Sequence, residues 1–445
     1  MINKTNMSNI IVRFPPSPTG FLHIGNTRVA IINWLFAKKN NGKIFLRFDD
    51  TDLERSKKEF KDQMFEDLKW LGLDFDDKFE QSSRTSFYRE AFDKLLENNY
   101  IYPCLESEED LEIARKVSMA NGKPFIYKKD NFNNSSPINK PYFRFHLKGD
   151  AEVCWKDAVQ GDVKYQIKDL SDPVILRANG NFMYTFCSVV DDFLLNITDV
   201  IRGADHVTNT AIQIKIFEAL QDCYKVKKNI QFAHLSLFQT KEGKISKRVG
   251  GFSIKELKEQ GFEPQSILNV LAKIGLSSYE DSLCSKEDLI NKFDITSFHK
   301  SQITFEHHLF EVFNKKIVSN LSFNDVKNRI NQNITEYFFD NIKHNISFLK
   351  EADEWFEIFT NQGLNFSNLL NQEERDFLSQ LLEFMIQENS YTWEEVLKIC
   401  KMQFPDKKGK SLFLPIRLAL TGKSQGPEMK FLFSQISKEI FKKRF

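Results

Sequence analysis

The sequence predicts an α/β protein: a doubly wound parallel sheet, split by an α+β insertion and followed by an all-helical C-terminal region. Three observations carry this reading. Two strand-like runs bracket a helical pattern near the N-terminus. Strand signals of the same kind return after about residue 170. From about Lys255 onward the apolar periodicity is mainly helical.

Each element has its own signal. Ile10 to Phe14 is a short apolar run ended by Pro15 and Pro16, which reads as a strand leaving its sheet. Val29, Ile32 and Phe36 then recur at helical spacing, and Asn41-Gly42 marks the helix stop. Lys43 to Phe48 alternates as a second strand. Strand, tight loop, helix and strand form a βαβ unit, the opening of a nucleotide-binding sheet. Phe60, Met64, Leu68 and Leu71 share one helical face, and Phe87, Ala91 and Leu95 another. The character changes between about Ile101 and Leu170. A charged helix from Ser107 to Asn121 leads to a polar loop, Lys128 to Lys140, and to alternating runs at Tyr142 to Leu147 and Glu152 to Val159. Parallel-sheet signals return at Pro173 to Arg177, Asn196 to Arg202 and Ile230 to Phe238, with a helix from Thr208 to Leu220.

Composition narrows the class. With 445 residues, 41% of them hydrophobic, the chain can fill several cores. At roughly 100–200 residues per domain, two to four domains are expected. The net charge of +1 announces no global nucleic-acid footprint, although a local patch remains compatible with it. The 43 Phe read first as compositional drift. None of the six cysteines pairs at C-x-x-C spacing, and scattered single thiols fit a reducing, cytoplasmic setting. No run approaches the ~18 apolar residues of a membrane span, and the polar first nine residues lack a signal-peptide core.

Two loops carry chemistry. In the first, Pro15, Pro16 and Pro18 stiffen the strand exit, and Gly20 and Gly25 allow a ligand to approach the backbone. A helix N-terminus near Gly25 offers unpaired N–H groups to phosphate, and His23 can donate to a phosphoryl oxygen. A rigid turn with an exposed histidine is the plainer alternative. In the second, Lys244 and Lys247 flank Ser246 between glycines, so the segment can bring positive charge to a leaving pyrophosphate. A solvated basic turn is its plainer alternative. Gly409-Lys410-Ser411 and Gly422-Lys423-Ser424 lack the upstream glycine of a phosphate loop, since Phe404 and Arg417 stand there, and read as turns between helices. The basic end, Lys438 to Arg444, reads either as a phosphate contact or as a solvated tail.

Taken in order, the motifs resemble those of class I aminoacyl-tRNA synthetases of the glutamyl and glutaminyl type. Arg13-Phe14-Pro15-Pro16-Ser17-Pro18-Thr19-Gly20 with His23-Ile24-Gly25-Asn26 is similar to the first signature, written HIGH. Leu46 to Asp52, Tyr184 to Asp192 and Asp199 to Gly203 resemble the next blocks, and Lys244-Ile245-Ser246-Lys247-Arg248 resembles the second signature, written KMSKS. The likeness runs from about Ile10 to Gly251, with a weaker echo at Leu418 to Gly422.

The resemblance implies a Rossmann-like domain in two halves, 1–100 and 171–243, around an acceptor-end-binding insertion at 101–170. It implies a stem-contact region at 244–303 with the KMSKS-like loop, and an anticodon-binding region at 304–445. The implied activity is glutamyl-tRNA synthesis: ATP, with Mg²⁺ as its counter-ion, activates glutamate, and the glutamyl group passes to tRNA(Glu). tRNA(Gln) is left open as a second acceptor. Enzymes of this type generally activate glutamate only with tRNA bound, and the family-level expectation is a monomer. His23, Lys244 and Lys247 match catalytic positions. Thr19, His23, Gly25, Asn26, Asp205, His206, Ile245 and Lys247 match ATP positions. Arg13, Ser17, Asp49, Tyr184, Ser188 and Arg202 match glutamate positions, Asp49 as the acid for the α-amino group. Pro15, Asp49 and Ser188 depart from the usual bacterial glutamate pattern, the first two toward the glutaminyl type. Asp205-His206 could alternatively cap the helix that follows. Cys104 stands alone where some relatives carry a Cys-x-Cys pair, so no structural zinc is expected. The competing readings are a glutaminyl enzyme, a shortened relative that modifies a tRNA base, and an inactive RNA-binding paralogue.

Overall fold

The computed structural model describes residues 10–52, 54–129, 140–149, 151–240, 243–244, 253–278 and 281–444. The chain packs as two units. One comprises Met1–Glu259 with Ile267–Glu306, the other Gln260–Ser266 with His307–Phe445.

The first unit is built on parallel strands. Strand β1 (Ile11–Phe14) leads through helix α1 (Ile24–Lys39) to β2 (Lys43–Phe48), then through α2 (Lys58–Trp70) to β3 (Asp77–Glu80) and α3 (Thr85–Glu97). The three strands pair in parallel. The α1–β2 turn shows why Asn41-Gly42 stops the helix. Asn41 takes φ 51°, and a side chain at Gly42 would stand 2.5 Å from the Ile10 carbonyl.

Next in the chain come β4 (Ile101–Cys104), α4 (Glu108–Ala120), β5 (Tyr142–Phe145), β6 (Glu152–Asp157), β7 (Gly161–Gln166) and β8 (Val174–Leu176). Ser107 caps α4 through a capping box with Asp110. After α5 (Tyr184–Leu194) come β9 (Asp199–Gly203), α6 (Val207–Tyr224) and β10 (Gln231–Leu235). Strands β9 and β10 pair in parallel. They join the first three strands at β1, where the Thr198 N–H donates to the Ile11 carbonyl at 2.9 Å. The order is thus β3-β2-β1 followed by β9-β10-β6-β7, a doubly wound arrangement with its crossing point between β1 and β9.

Three expectations change. Pro173 to Arg177 does not return to the parallel sheet; β8 pairs antiparallel with β5 in the three-stranded sheet β4-β5-β8. A three-residue apolar strand carries no signal of its partner, and tertiary pairing assigned it. Conversely, Glu152 to Val159 was expected inside the insertion, yet β6 runs parallel beside β10 and carries the β6–β7 hairpin onto the main sheet. On α3, the buried face is Tyr88, Ala91, Phe92 and Leu95; Phe87 is exposed beneath the Arg84 guanidinium at 4.6 Å.

The rest of this unit includes the hairpin β11 (Phe238–Thr240) and β12 (Gly243–Lys244), helices α7 (Ile254–Gln260), α8 (Pro264–Lys273) and α9 (Lys286–Lys292), and β13 (Ile303–Thr304). Helices α7 and α8 run into the 260–266 segment counted with the second unit.

The second unit is helical, from α10 (His308–Asn320) through α11 (Phe323–Val326), α12 (Glu336–Ile342), α13 (Lys350–Thr360), α14 (Gln372–Gln387), α15 (Trp393–Gln403), α16 (Lys410–Thr421) and α17 (Met429–Gln435) to α18 (Lys438–Arg444). Its core centres on Phe339, Trp355, Leu381, Ile416 and Leu432. Capping boxes at Asn371 and Thr392 start α14 and α15. Gly409 and Gly422 bound α16, in line with the turns expected there.

Candidate active site

A cleft of about 630 Å³ opens where the C-terminal ends of β1, β9 and β10 meet the start of α1. This is the crossing point at which doubly wound sheets bind ligands. Ten of the expected residues line it: Arg13, Ser17, Thr19, His23, Gly25, Asn26, Tyr184, Arg202, Asp205 and His206.

His23 is the N-cap of α1. Its Nδ1 accepts from the Gly25 N–H at 3.1 Å and the Asn26 N–H at 3.4 Å. Two helix-terminal donors expected to face phosphate therefore face the histidine ring, whose proton sits on Nε2. A Cβ at Gly25 would come 2.9 Å from that ring. His206 precedes α6 without making a capping bond, so capping does not explain it. Burial and the nearby Arg202 hold its imidazole below the ordinary histidine range.

Arg13 and Arg202 bring charge to the cleft wall, each almost wholly buried. Arg13 Nε donates to both Asp192 oxygens, at 3.2 and 3.3 Å. Its Nη1 and Nη2 have no hydrogen-bond partner among the described residues. Arg202 Nη1 is in the same condition, and burial lowers the pKa of this guanidinium.

Asp49 and Ser188 do not reach the wall; they stand behind it. The link is Arg47, fully buried in β2. It bonds Asp49 at 2.7 and 3.3 Å, Asp192 at 2.8 Å and the Ser188 hydroxyl at 2.9 Å. Burial pushes Asp49 up to about 6 against the pull of Arg47. Burial also disfavours the Asp192 carboxylate, but Arg13 and Arg47 outweigh it and hold its pKa below the ordinary range. Asp191 is held by Gln81, Arg84 and Tyr88. Arg47 received no role in the sequence reading. The available signal was a cation inside an apolar strand, which requires buried anionic partners.

Of the second loop, only the flanks lie among the described residues. Of the residues expected to act there, Ile245 and Lys247 lie outside the described residues, and of Lys244 only the backbone pairing in β12 is described. On the far side, Ser253 bridges to His23 and the Ile254 N–H donates to the Leu22 carbonyl at 2.9 Å. The two loops, more than 200 residues apart in sequence, are thereby tied at their bases. Arg28, also unassigned from sequence, reinforces this. It donates to the carbonyls of Ser236 and Ile274 at 2.8 and 3.1 Å and lies over the rings of Phe238 and Phe298. Burial lowers it to about 9. Arg55 adds an exposed cation at the rim.

Two peripheral expectations can be placed. Cys104 is buried with Tyr127, Tyr142 and Leu111; the Tyr127 hydroxyl donates to its sulfur at 3.5 Å, and burial raises the thiol pKa. Among the described residues no three His, Cys, Asp or Glu side chains cluster as a metal site. Arg444 is not available to RNA. It is buried and donates to the carbonyls of Leu420, Ile358 and Asn361, closing the helical unit on itself.

The family follows from this sheet, cleft and helical unit together with sequence comparison. The family model described as "tRNA synthetases class I (E and Q), catalytic domain" matches residues 9–311, and "Anticodon binding domain" matches residues 309–445. The chain belongs to the class I tRNA synthetases of the E and Q type. It is 42% identical to "Glutamate--tRNA ligase 1" of Rickettsia prowazekii, over 97% of this chain and 98% of the relative. It is 40% identical to "Glutamate--tRNA ligase 2" of Ehrlichia canis, over 98% of each. The crystal structure of a glutamate tRNA ligase from Elizabethkingia meningosepticum in complex with its amino acid superposes with a TM-score of 0.81 at 25% identity, covering 98% of each chain. Among the described residues no helix is long and apolar enough to cross a membrane.

Proposed function

We propose that the protein is a glutamate–tRNA ligase. In its reaction the α-carboxylate of glutamate attacks the α-phosphorus of ATP and displaces pyrophosphate. A terminal ribose hydroxyl of tRNA(Glu) then attacks the glutamyl carbonyl and displaces AMP. The carrying observation is Arg13, a cleft-lining residue whose two terminal guanidinium nitrogens are buried without partners among the described residues. A carboxylate satisfies such a fork with two parallel bonds, whereas a neutral amide offers N–H groups to a cation. Arg202 adds a second cation, and Ser17 and Tyr184 add hydroxyls. Asp49 and Ser188 act indirectly here, by fixing Arg47 and through it Asp192 and Arg13.

The ATP side is read from the first loop. Thr19, Gly25 and Asn26 border the phosphates, and His23 donates from Nε2. Asp205 and His206 flank the adenine end; a neutral His206 suits an uncharged base. Lys244, Ile245 and Lys247 belong to the loop that covers the triphosphate, where the lysines meet charge migrating to pyrophosphate. Mg²⁺ enters with ATP. Catalysis is then positioning and charge stabilisation without a covalent enzyme intermediate. The helical unit supports anticodon contact, the insertion acceptor-end contact, and residues 244–303 stem contact, in a cytoplasmic monomer. The glutaminyl alternative calls for β-barrels after Gly251, where the regular elements among the described residues are helices apart from the two-residue β13.

The test is ATP–pyrophosphate exchange with tRNA(Glu) present. Glutamate should support exchange and glutamine should not, and Lys247→Ala should lower the rate by on the order of 10²-fold. Exchange supported equally by glutamine, or near-normal exchange in Lys247→Ala, would count against the assignment. Charging purified tRNA(Glu) and tRNA(Gln) side by side then defines the acceptor range.

A further inference from the structure

Arg202 lines the cleft beside Tyr184; one of its nitrogens, Nη1, is buried without a geometric hydrogen-bond partner, and its other two are already engaged. Nε faces His234 Nε2 at 3.3 Å, Nη2 donates to Thr210 Oγ1 at 2.5 Å, and that same hydroxyl lies 2.8 Å from His234 Nε2. His234, on β10, is fully buried and does not line the cleft. Its Nδ1 lies 2.5 Å from Asp157 Oδ2. Asp157 ends β6 and is saturated with donors. Oδ1 accepts from the N–H groups of Val159, Gln160 and His234 at 3.1, 2.9 and 3.0 Å, and Oδ2 from Trp155 Nε1 at 3.3 Å.

A carboxylate surrounded in this way stays ionised and draws the imidazole proton onto Nδ1. Nε2 is then an acceptor for the Thr210 hydroxyl and for Arg202 Nε–H, and because Thr210 Oγ1 also accepts from Nη2, the two together set the plane of the Arg202 guanidinium. We infer that the Asp157–His234 pair is a positioning device for Arg202, aiming Nη1 into the cleft at the substrate carboxylate by holding the imidazole in its Nε2-accepting tautomer. The inference rests on reading Arg202 as a glutamate-binding residue.

Three substitutions separate this role from packing. In Asp157→Asn the three amides keep the side-chain oxygen at the Oδ1 position and turn the NH₂ toward His234. The imidazole proton moves to Nε2, where it opposes Arg202 Nε–H. His234→Asn keeps a donor for Asp157 but has no acceptor that reaches Arg202. His234→Gln places an amide oxygen where Nε2 was.

Glutamate-dependent pyrophosphate exchange with tRNA(Glu) present reads the outcome. Asp157→Asn and His234→Asn should raise the glutamate KM about tenfold or more, with kcat and the ATP KM within about twofold of the parent. His234→Gln should stay within about threefold of the parent glutamate KM. An unchanged glutamate KM in Asp157→Asn would overturn the inference. So would equal losses for glutamate and ATP, or equal losses in His234→Gln and His234→Asn. If one variant fails to fold, the other decides; if both do, the pair is a structural bond and the inference falls. Absence of glutamate-dependent exchange in the parent protein is a separate failure, that of the proposed function.

Discussion

Arg13 is a buried cation whose known partner, Asp192, occupies only Nε. Lysine there keeps the charge and loses the fork. Arg13→Lys should raise the glutamate KM by on the order of 10–100-fold and leave the ATP KM near its parent value, read by pyrophosphate exchange. Asp157 makes a pH prediction. Burial pushes this carboxyl up, but the His234 bond and the amide donors outweigh it and lower it from 3.8 to about 2. A depressed carboxyl stabilises the fold above its unfolded value and loses that contribution as pH falls toward the folded one. The parent should therefore lose about 1–2 kcal/mol between pH 4 and pH 2 that Asp157→Asn does not lose, after allowance for solvent screening. Paired denaturation curves across that window provide the comparison.

Helix termini show how local chemistry places whole elements. The N-cap of α1 is the histidine of the HIGH-like loop, so one ring both starts the helix and faces the cleft. At the other end of the chain, α16 stops at Gly422 with φ 68°, and a Cβ there would stand 2.6 Å from the Phe366 ring. Gly422→Ala combines backbone strain with overpacking and should destabilise the helical unit by about 1–3 kcal/mol, measured by denaturant unfolding. The Leu418 to Gly422 segment, which carries the faint family echo, thus has a structural reason for its glycine.

The molecule divides into a unit with the cleft and a helical unit with its own core. Unfolding of such a chain departs from a single two-state transition. Calorimetry should resolve two transitions. ATP at 100 times its Kd should stabilise the cleft unit by about 2.7 kcal/mol and raise that transition. Gly422→Ala should lower the other.

The βαβ opening, the helical C-terminal half, the first signature loop and ten cleft-lining residues were readable because each rests on local spacing or on an ordered motif. The partners of short strands were not. Nothing in Val174–Leu176 says that it pairs with β5, and nothing in Glu152–Asp157 says that it lies beside β10. The support behind the cleft was equally hidden. Arg47 meets Asp192 across 145 positions, and Asp157 meets His234 across 77. A buried charge is stable only where folding brings its counter-charge, and that pairing is a property of three-dimensional packing, not of sequence neighbourhood. The amino-acid order thus named the groups that chemistry requires, and the fold chose which of them reach the cleft and which stand behind to aim them.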